Sequence, residues 1–412
     1  MKALVLAGGF PQIDLIIKLK NRGIQTLLAD YYENPVAKKY ADKFFRISTL
    51  DVDAIRNLSI EEKVDFLITA CTDQALLTVA KVSEELGLPC YIDYETARNV
   101  TNKEFMKEMM LKNSIPSANY YIFNKFEEIK LGEIFFPLIV KPVDCNSSKG
   151  VRLVSNVEEL ENAFYAALDL SRSKKVILEE YIKGKELSVD VFVENSKALV
   201  LDITTSEKIN VKDKFVIFRT WHPANISKNE KDKINLIVQK IADVFGIVNA
   251  PMLIQMLSDG ENVSVIEFSA RTGGGVKHLS ILRRTGVDII STLIDLTLGN
   301  TPHLELTSPK TKFMLDEYIY CNPGAFDSIY GFDDLKNKGI ILDYYVFKWK
   351  GAVFDLIENS GDRIGGFTIQ GDSLEELQFK HNMVNDSVKV LSDNGIDIMK
   401  HELLTQIDYL NS

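Results

Sequence analysis

The sequence predicts a chain that is α/β in its first third and α+β beyond it, and three observations carry that expectation. Apolar runs alternate with helix-spaced segments through the first third, as in a parallel sheet covered by helices on both faces. After Tyr94 the character changes to a small α+β unit, then a larger one, then a β-rich end. At 412 residues the chain exceeds one ordinary hydrophobic core, so two to four domains are expected.

Taken in order, Lys2–Ala7 is a short apolar run ending at Gly8-Gly9, and Ile13–Asn21 has helical spacing. Gln25–Asp30 and Asp65–Ala70 read as strands, and Asp73–Leu86 as a helix stopped by Gly87-Leu88-Pro89. Ligands of such sheets sit at the carboxyl ends of the strands, here Gly8-Gly9 and Cys71-Thr72-Asp73-Gln74. Thr101–Asn113 is a charged helix running to a linker near Pro116. Strands follow at Asn119–Phe123, Leu138–Pro142 and Val151–Val154, then a helix at Val157–Asp169 and a strand at Val176–Ile182. Extended runs at Leu187–Val193 and Ala198–Thr204 precede a helix at Glu230–Phe245 and adjacent strands at Met252–Leu257 and Val263–Phe268. The last piece is β-rich and ends in a helix over Ser373–Ser392. This divides the chain into residues 1–115, 116–183, 184–308 and 309–412.

Composition narrows the function classes. With 46% hydrophobic and 26% charged residues, the chain reads as soluble and globular rather than disordered. A net charge of −10 disfavours a protein that coats nucleic acid, although a local basic pocket can still hold phosphates. Cys71, Cys90, Cys145 and Cys321 are scattered without CxxC spacing, so neither a disulfide framework nor a zinc ribbon is expected, and a reducing cytosol is the simplest setting. No apolar stretch approaches the roughly 20 residues of a membrane span, and the short N-terminal run reads as a buried strand rather than a signal segment. The expectation is a cytoplasmic protein with small-molecule substrates and no nucleic-acid or membrane partner; a homodimer stays open.

Three blocks carry chemistry. Lys141 closes an apolar strand and precedes Asp144-Cys145-Asn146-Ser147-Ser148-Lys149-Gly150, a small hydroxyl-rich loop suited to a triphosphate. The lysine supplies a point charge, while backbone N–H groups and hydroxyls donate to phosphate oxygens. An ordinary hairpin with a solvated lysine is the alternative. Glu179-Glu180-Tyr181-Ile182 runs into the Gly184 hinge and Glu186. Backbone groups at such a hinge can read an adenine edge, and a later carboxylate can accept from ribose hydroxyls; a solvated charge run would look the same. In the third block Glu267 and Ser269 share one face of a strand, and a turn near Gly260–Asn262 folds Gln255 back toward Glu267. These hard oxygen donors suit Mg²⁺ completed by phosphates. Arg271 then projects beyond the strand toward an anion, and Gly273-Gly274-Gly275 leave backbone N–H groups open to an oxyanion.

In this order and spacing the blocks resemble the ATP-grasp superfamily, which includes carbamoyl phosphate synthetase, biotin carboxylase and D-alanine–D-alanine ligase. The resemblance runs from the N-terminal α/β region to Thr285-Gly286-Val287-Asp288. It implies a Rossmann-like N-terminal domain, a small lid, a central antiparallel-sheet domain carrying the metal site, and a C-terminal β-rich subdomain. Residue by residue, Lys103 and Lys141 are similar to the family's phosphate contacts, and Ser147, Ser148 and Gly150 to its mobile phosphate loop. Glu179, Glu180, Tyr181 and Ile182 resemble the adenine hinge, and Glu186 the ribose acid. Gln255 and Glu267 resemble the magnesium ligands, with Ser269 where many relatives carry asparagine; serine reaches less far. Arg271 resembles the arginine that steadies an acyl phosphate, with Gly274 beside it. The triglycine and Gly365–Ser373 resemble the branch containing L-amino-acid ligases.

The resemblance implies ATP and Mg²⁺ (or Mn²⁺) as cofactors and a two-step ligation. A substrate carboxylate takes the γ-phosphoryl group to give an acyl phosphate and ADP, and an amine then displaces phosphate. His222, in Arg219-Thr220-Trp221-His222-Pro223, reads as a loop histidine able to touch substrate or solvent. Lys277 and His278 could line the same cavity, whereas His303, His381 and His401 fall on polar stretches and read as solvated. Two other functions remain in view: a ligase or carboxylase acting on a phosphoribosyl amine, and a non-catalytic ATP sensor. Asp30 at the end of the second strand also keeps a dinucleotide oxidoreductase conceivable, though the GxGxxG pattern is incomplete.

Overall fold

The computed structural model describes residues 1–145, 149–211, 214–404, 407 and 409. Lys2–Leu6, Gln25–Asp30 and Phe66–Ile68 are buried along almost their whole length, as strands covered on both faces must be. They pair in parallel, joined at the edge by Lys43–Arg46, in the order third, second, first, fourth along the chain. The helix Phe10–Asn21 starts at Pro11 in its first turn, and Asp73–Leu86 ends at Gly87 with φ +64°. Lys43–Arg46 and the helix Val52–Glu61 were not expected from the sequence. The strand shows a half-exposed pattern typical of an edge, where hydrophobic periodicity is weak.

Residues 120–180 build a second, small antiparallel sheet. Its strand order is Tyr120–Phe123, Val176–Glu180, Leu138–Pro142, Arg152–Val154, and the helix Val157–Leu170 packs Leu160, Ala163, Phe164 and Ala167 against it. An eight-stranded sheet forms the centre of the molecule. From one edge it runs Val263–Ser269, Ala250–Ser258, Lys185–Glu194, Lys197–Val211, Lys214–His222, Phe313–Ile319, Gly365–Gly371 and Asp343–Val346. The sheet therefore crosses residue 308 without interruption. The helix Lys228–Val244, opened by a Ser227/Glu230 capping box, covers one face with Ile234, Val238 and Ile241. The helix Ile289–Thr297 joins the core that ties the parallel sheet to Phe192 and Leu201 of the central one.

Two expectations need correction. The C-terminal helix is Leu374–Ser387, and Lys389–Ser392 leaves it to become a strand paired with Gly324–Tyr330. Val388 and Val390 are β-branched and fully buried, and they pack better on a pleated surface than on a helix. His222 is not on a loop: it is the last residue of the strand Lys214–His222 and is fully buried.

Candidate active site

A cavity lies where the small sheet meets one end of the central sheet, with the helix Lys103–Lys112 along its side. Ile139, Lys141 and Glu179–Ile182 come from the small sheet, and Glu186, Lys208, Gln255 and Glu267 from the central one. The two sheets join through the turn at Gly184. A Cβ there would stand 2.4 Å from the Ser258 carbonyl oxygen, so only glycine lets the chain cross this close.

Alternation places the polar groups. Glu186 and Gln255 face the cavity because their strands pair Glu186 with Leu257 and Gln255 with Ser188, and Gln255 also sits opposite Glu267. A bulge follows Gln255 and tilts the strand at that point. The charges are already matched in pairs. Lys103 Nζ is 3.1 Å from Glu267 Oε2 and donates to the Cys145 carbonyl oxygen at 2.6 Å. Lys208 pairs with Glu186, toward which the Gln255 amide also leans at 3.5 Å. Lys141 Nζ lies 2.5 Å from Glu179 Oε2, and Lys107 Nζ 2.8 Å from Glu179 Oε1. Burial works to raise the Glu179 pKa, but the two ammonium groups outweigh it and hold the carboxyl down at about 2.

The cavity thus gathers Lys103, Lys141, Glu179, Glu180, Tyr181, Ile182, Glu186, Gln255 and Glu267. Ser147 and Ser148 lie outside the described residues. Gly150 has φ +77° and packs against Pro142 and Leu170 beside the cavity. Ser269 stands outside the lining, its hydroxyl bonded to Asp73. Arg271 also stands outside. Its guanidinium grips Asp73 with two bonds of 2.6 and 2.5 Å and donates to the Thr272 carbonyl oxygen. Asp73 opens the helix after the fourth parallel strand, so the arginine ties the central sheet to the carboxyl ends of the parallel one. Burial favours a neutral Asp73, yet Arg271 keeps its pKa below the ordinary range. A Cβ at Gly274 would meet open space, whereas Gly275 has φ +65° and a Cβ there would stand 2.6 Å from the Tyr318 hydroxyl.

His222 belongs to a different group. Its Nδ1 meets Asp202 at 2.5 Å and its Nε2 meets Asp316 at 2.9 Å, while Ser280 and Thr368 donate to the same Asp316 carboxylate. With both ring nitrogens held and no exposure, the geometry makes it a buried ion-pair residue. Burial lowers its pKa, but the two carboxylates raise it overall. Removing it strands two buried carboxylates. His222→Ala is expected to cost about 3–5 kcal/mol in chemical denaturation. Because the folded pKa is raised, that difference is largest below about pH 6.5 and shrinks as pH rises through the folded value; a pH-independent difference would refute the pairing.

Lys277 is buried against Asp190 at 2.9 Å and Thr204 at 2.6 Å, and His278, with its pKa held down to about 4 by burial, packs beside Phe10. Neither lines the cavity. His381 is buried, not solvated, and bonds Arg219 at 3.2 Å. His303 is exposed and meets Glu194, and His401 is half-buried against Asn385. Asp30 accepts from the Gly8 and Tyr32 amides at 2.6 and 2.7 Å, which fixes the turn after the first strand. Burial raises the Cys145 thiol pKa, so nothing activates it as a nucleophile.

Sequence reasoning missed Lys107, Lys208 and the pairing role of Asp73. Lys107 stands four residues after Lys103, on the same helix face, and that spacing was the available signal. Lys208 follows Thr204 and Ser206 at period two, on a strand longer than expected.

Among the described residues no three His, Cys, Asp or Glu side chains could hold a metal alone. Gln255 and Glu267 fit a hard cation only if phosphate oxygens supply the other ligands. Among the described residues no helix is long and apolar enough to cross a membrane.

The ATP-grasp domain family matches residues 134–279, which include the whole stretch from Lys141 to Gly275. The chain is 27% identical over 325 residues to formate-dependent phosphoribosylglycinamide formyltransferase of Sulfurisphaera tokodaii, covering 75% of this chain and 79% of that one. Its fold is that of L-amino acid ligase from Bacillus licheniformis, with a TM-score of 0.78 at 20% identity over 96% of this chain and 99% of the other. It is equally that of the biotin carboxylase domain of Hydrogenobacter thermophilus 2-oxoglutarate carboxylase, solved with MgADP, ADP and bicarbonate. There the TM-score is 0.79 at 19% identity, over 98% and 92% of the two chains.

Proposed function

We propose that this chain is an ATP-grasp carboxylate–amine ligase that activates an amino acid or other small acid as an acyl phosphate and passes it to an amine. The observation that carries this reading is one cavity holding Lys103, Lys141, the 179–182 hinge, Glu186, Gln255 and Glu267 together. The hinge backbone at Glu180–Ile182 receives adenine and Glu186 the ribose, exchanging Lys208 for hydroxyl donors. Lys103 and Lys141 turn from their carboxylate partners to phosphate oxygens. Glu267 and Gln255 would hold magnesium together with the phosphates, and the chemistry it would supply is neutralisation of the phosphoryl charge. Arg271, held in place by Asp73, offers its remaining N–H groups to the acyl phosphate, and the Gly273–Gly275 amides support it. No side-chain nucleophile is required, because such catalysis is positioning and charge neutralisation.

A small acceptor fits the lack of arginine or lysine within the Gly8-Gly9 and Cys71–Gln74 segments themselves, where the guanidinium brought in by folding, Arg271, is held by Asp73. The other reading, a phosphoribosyl amine acceptor, gains from the Sulfurisphaera relative and from a second cleft. That cleft lies between the parallel-sheet domain and the C-terminal segment, and Lys38, Lys39, Lys348 and Lys350 line it. An ADP-release screen across amino acids, dipeptides and sugar amines separates the two. Release with pairs of amino acids is the expected outcome, and release only with a phosphoribosyl amine would replace it. Tight ATP binding without release on any acid–amine pair would favour the sensor.

A further inference from the structure

Lys107 lines the cavity beside Lys141 and shares Glu179 with it, and that arrangement has a consequence for charge. Glu179 gives one carboxylate oxygen to Lys141 and the other to Lys107. The three side chains are 8%, 3% and 7% exposed, so water screens them little. On its far side Lys107 donates to Ser117 Oγ at 2.6 Å, and Ser117 bridges to Val265 of the central sheet. The ammonium is thus anchored to the sheet that carries Glu267. Two cations on one carboxylate leave one positive charge on the cavity wall. With Lys107 neutral, Glu179 and Lys141 would close into a buried pair of no net charge. Lys141 would then have to abandon its one counter-ion among the described residues to meet a phosphate.

We propose that Lys107 is a positioning residue that divides the charge of Glu179, so that Lys141 is held in place yet stays free to bind an anionic phosphate chain. Glu179 on this account is a bracket between two lysines rather than a nucleotide ligand. Burial and the neighbouring Lys141 lower the Lys107 pKa overall, and the shared Glu179 opposes them. The inference rests on reading the cavity as the ATP site. If the wild-type chain bound no ATP, that reading would fail before this one was reached.

The test is the dissociation constant of ATP, ADP and adenosine, measured by calorimetry on the full chain. Lys107→Met should weaken ATP about tenfold or more, the size of a charge-assisted contact, and leave adenosine unchanged. Lys107→Arg should recover most of the loss. The double variant Lys107→Met/Glu179→Gln should also recover it, because Lys141 is no longer neutralised. ATP binding by Lys107→Met at wild-type strength would overturn the proposal. So would a double variant as weak as the single one, since Lys107 would then touch phosphate itself. Should Lys107→Met not fold, Lys107→Gln, which still donates to Glu179 but carries no charge, is held to the same outcomes.

Discussion

Glu267→Gln should reduce ADP formation by about a hundredfold or more at saturating substrates while the protein stays folded. On the proposed reading the carboxylate holds the metal together with Gln255, which it faces across the strand pair, and an amide of the same shape removes its charge. Its side chain is 31% exposed but that of Lys103 only 10%, so losing the carboxylate should lower thermal stability measurably while the fold is kept. Gln255→Ala should be milder, because a neutral ligand is lost rather than a charge. A further signature follows from the pairing itself. Freed of Glu267, Lys103 can turn fully to phosphate, so metal-free nucleotide should bind Glu267→Gln at least as tightly as wild type. Near-normal turnover in this variant at high Mg²⁺ would remove Glu267 from the metal site.

The second large effect concerns the intermediate. With ATP, Mg²⁺ and the right acid, hydroxylamine should trap an acyl phosphate as a hydroxamate, and Arg271→Lys should cut the yield while ATP still binds. The bidentate grip on Asp73 fixes the plane of the guanidinium, and a lysine keeps the charge but loses that fork. A bidentate charged contact is worth roughly 1.5–3 kcal/mol, about ten- to a hundredfold in rate. Unchanged yield would make the arginine a tie between domains and nothing more. Loss of ATP affinity in step with yield would make it a nucleotide contact, which its place outside the cavity lining opposes.

Much of this was legible in the sequence because it depends on short-range periodicity. Leu138–Pro142 and Asp73–Leu86 begin and end where apolar spacing, Pro142 and Gly87 place them. Gln255 and Glu267 face each other because a turn near Gly260 joins two strands of period two, which local residues alone specify. The 179–186 segment reached the cavity for the same reason, as a strand, a glycine turn and a strand.

Only the tertiary structure decided how the charges are shared. Arg271 and Asp73 are 198 residues apart, and their grip exists because the parallel sheet docks on the central one. His222 looked like a loop residue, but its strand lies between those carrying Asp202 and Asp316, which set it between two buried carboxylates. Glu179 read as a hinge contact; folding set it between Lys107 on a helix and Lys141 on a neighbouring strand. Pattern fixes which side of an element a residue faces. Which charge waits on that side depends on distant elements, and a buried charge is settled by the partner it meets there.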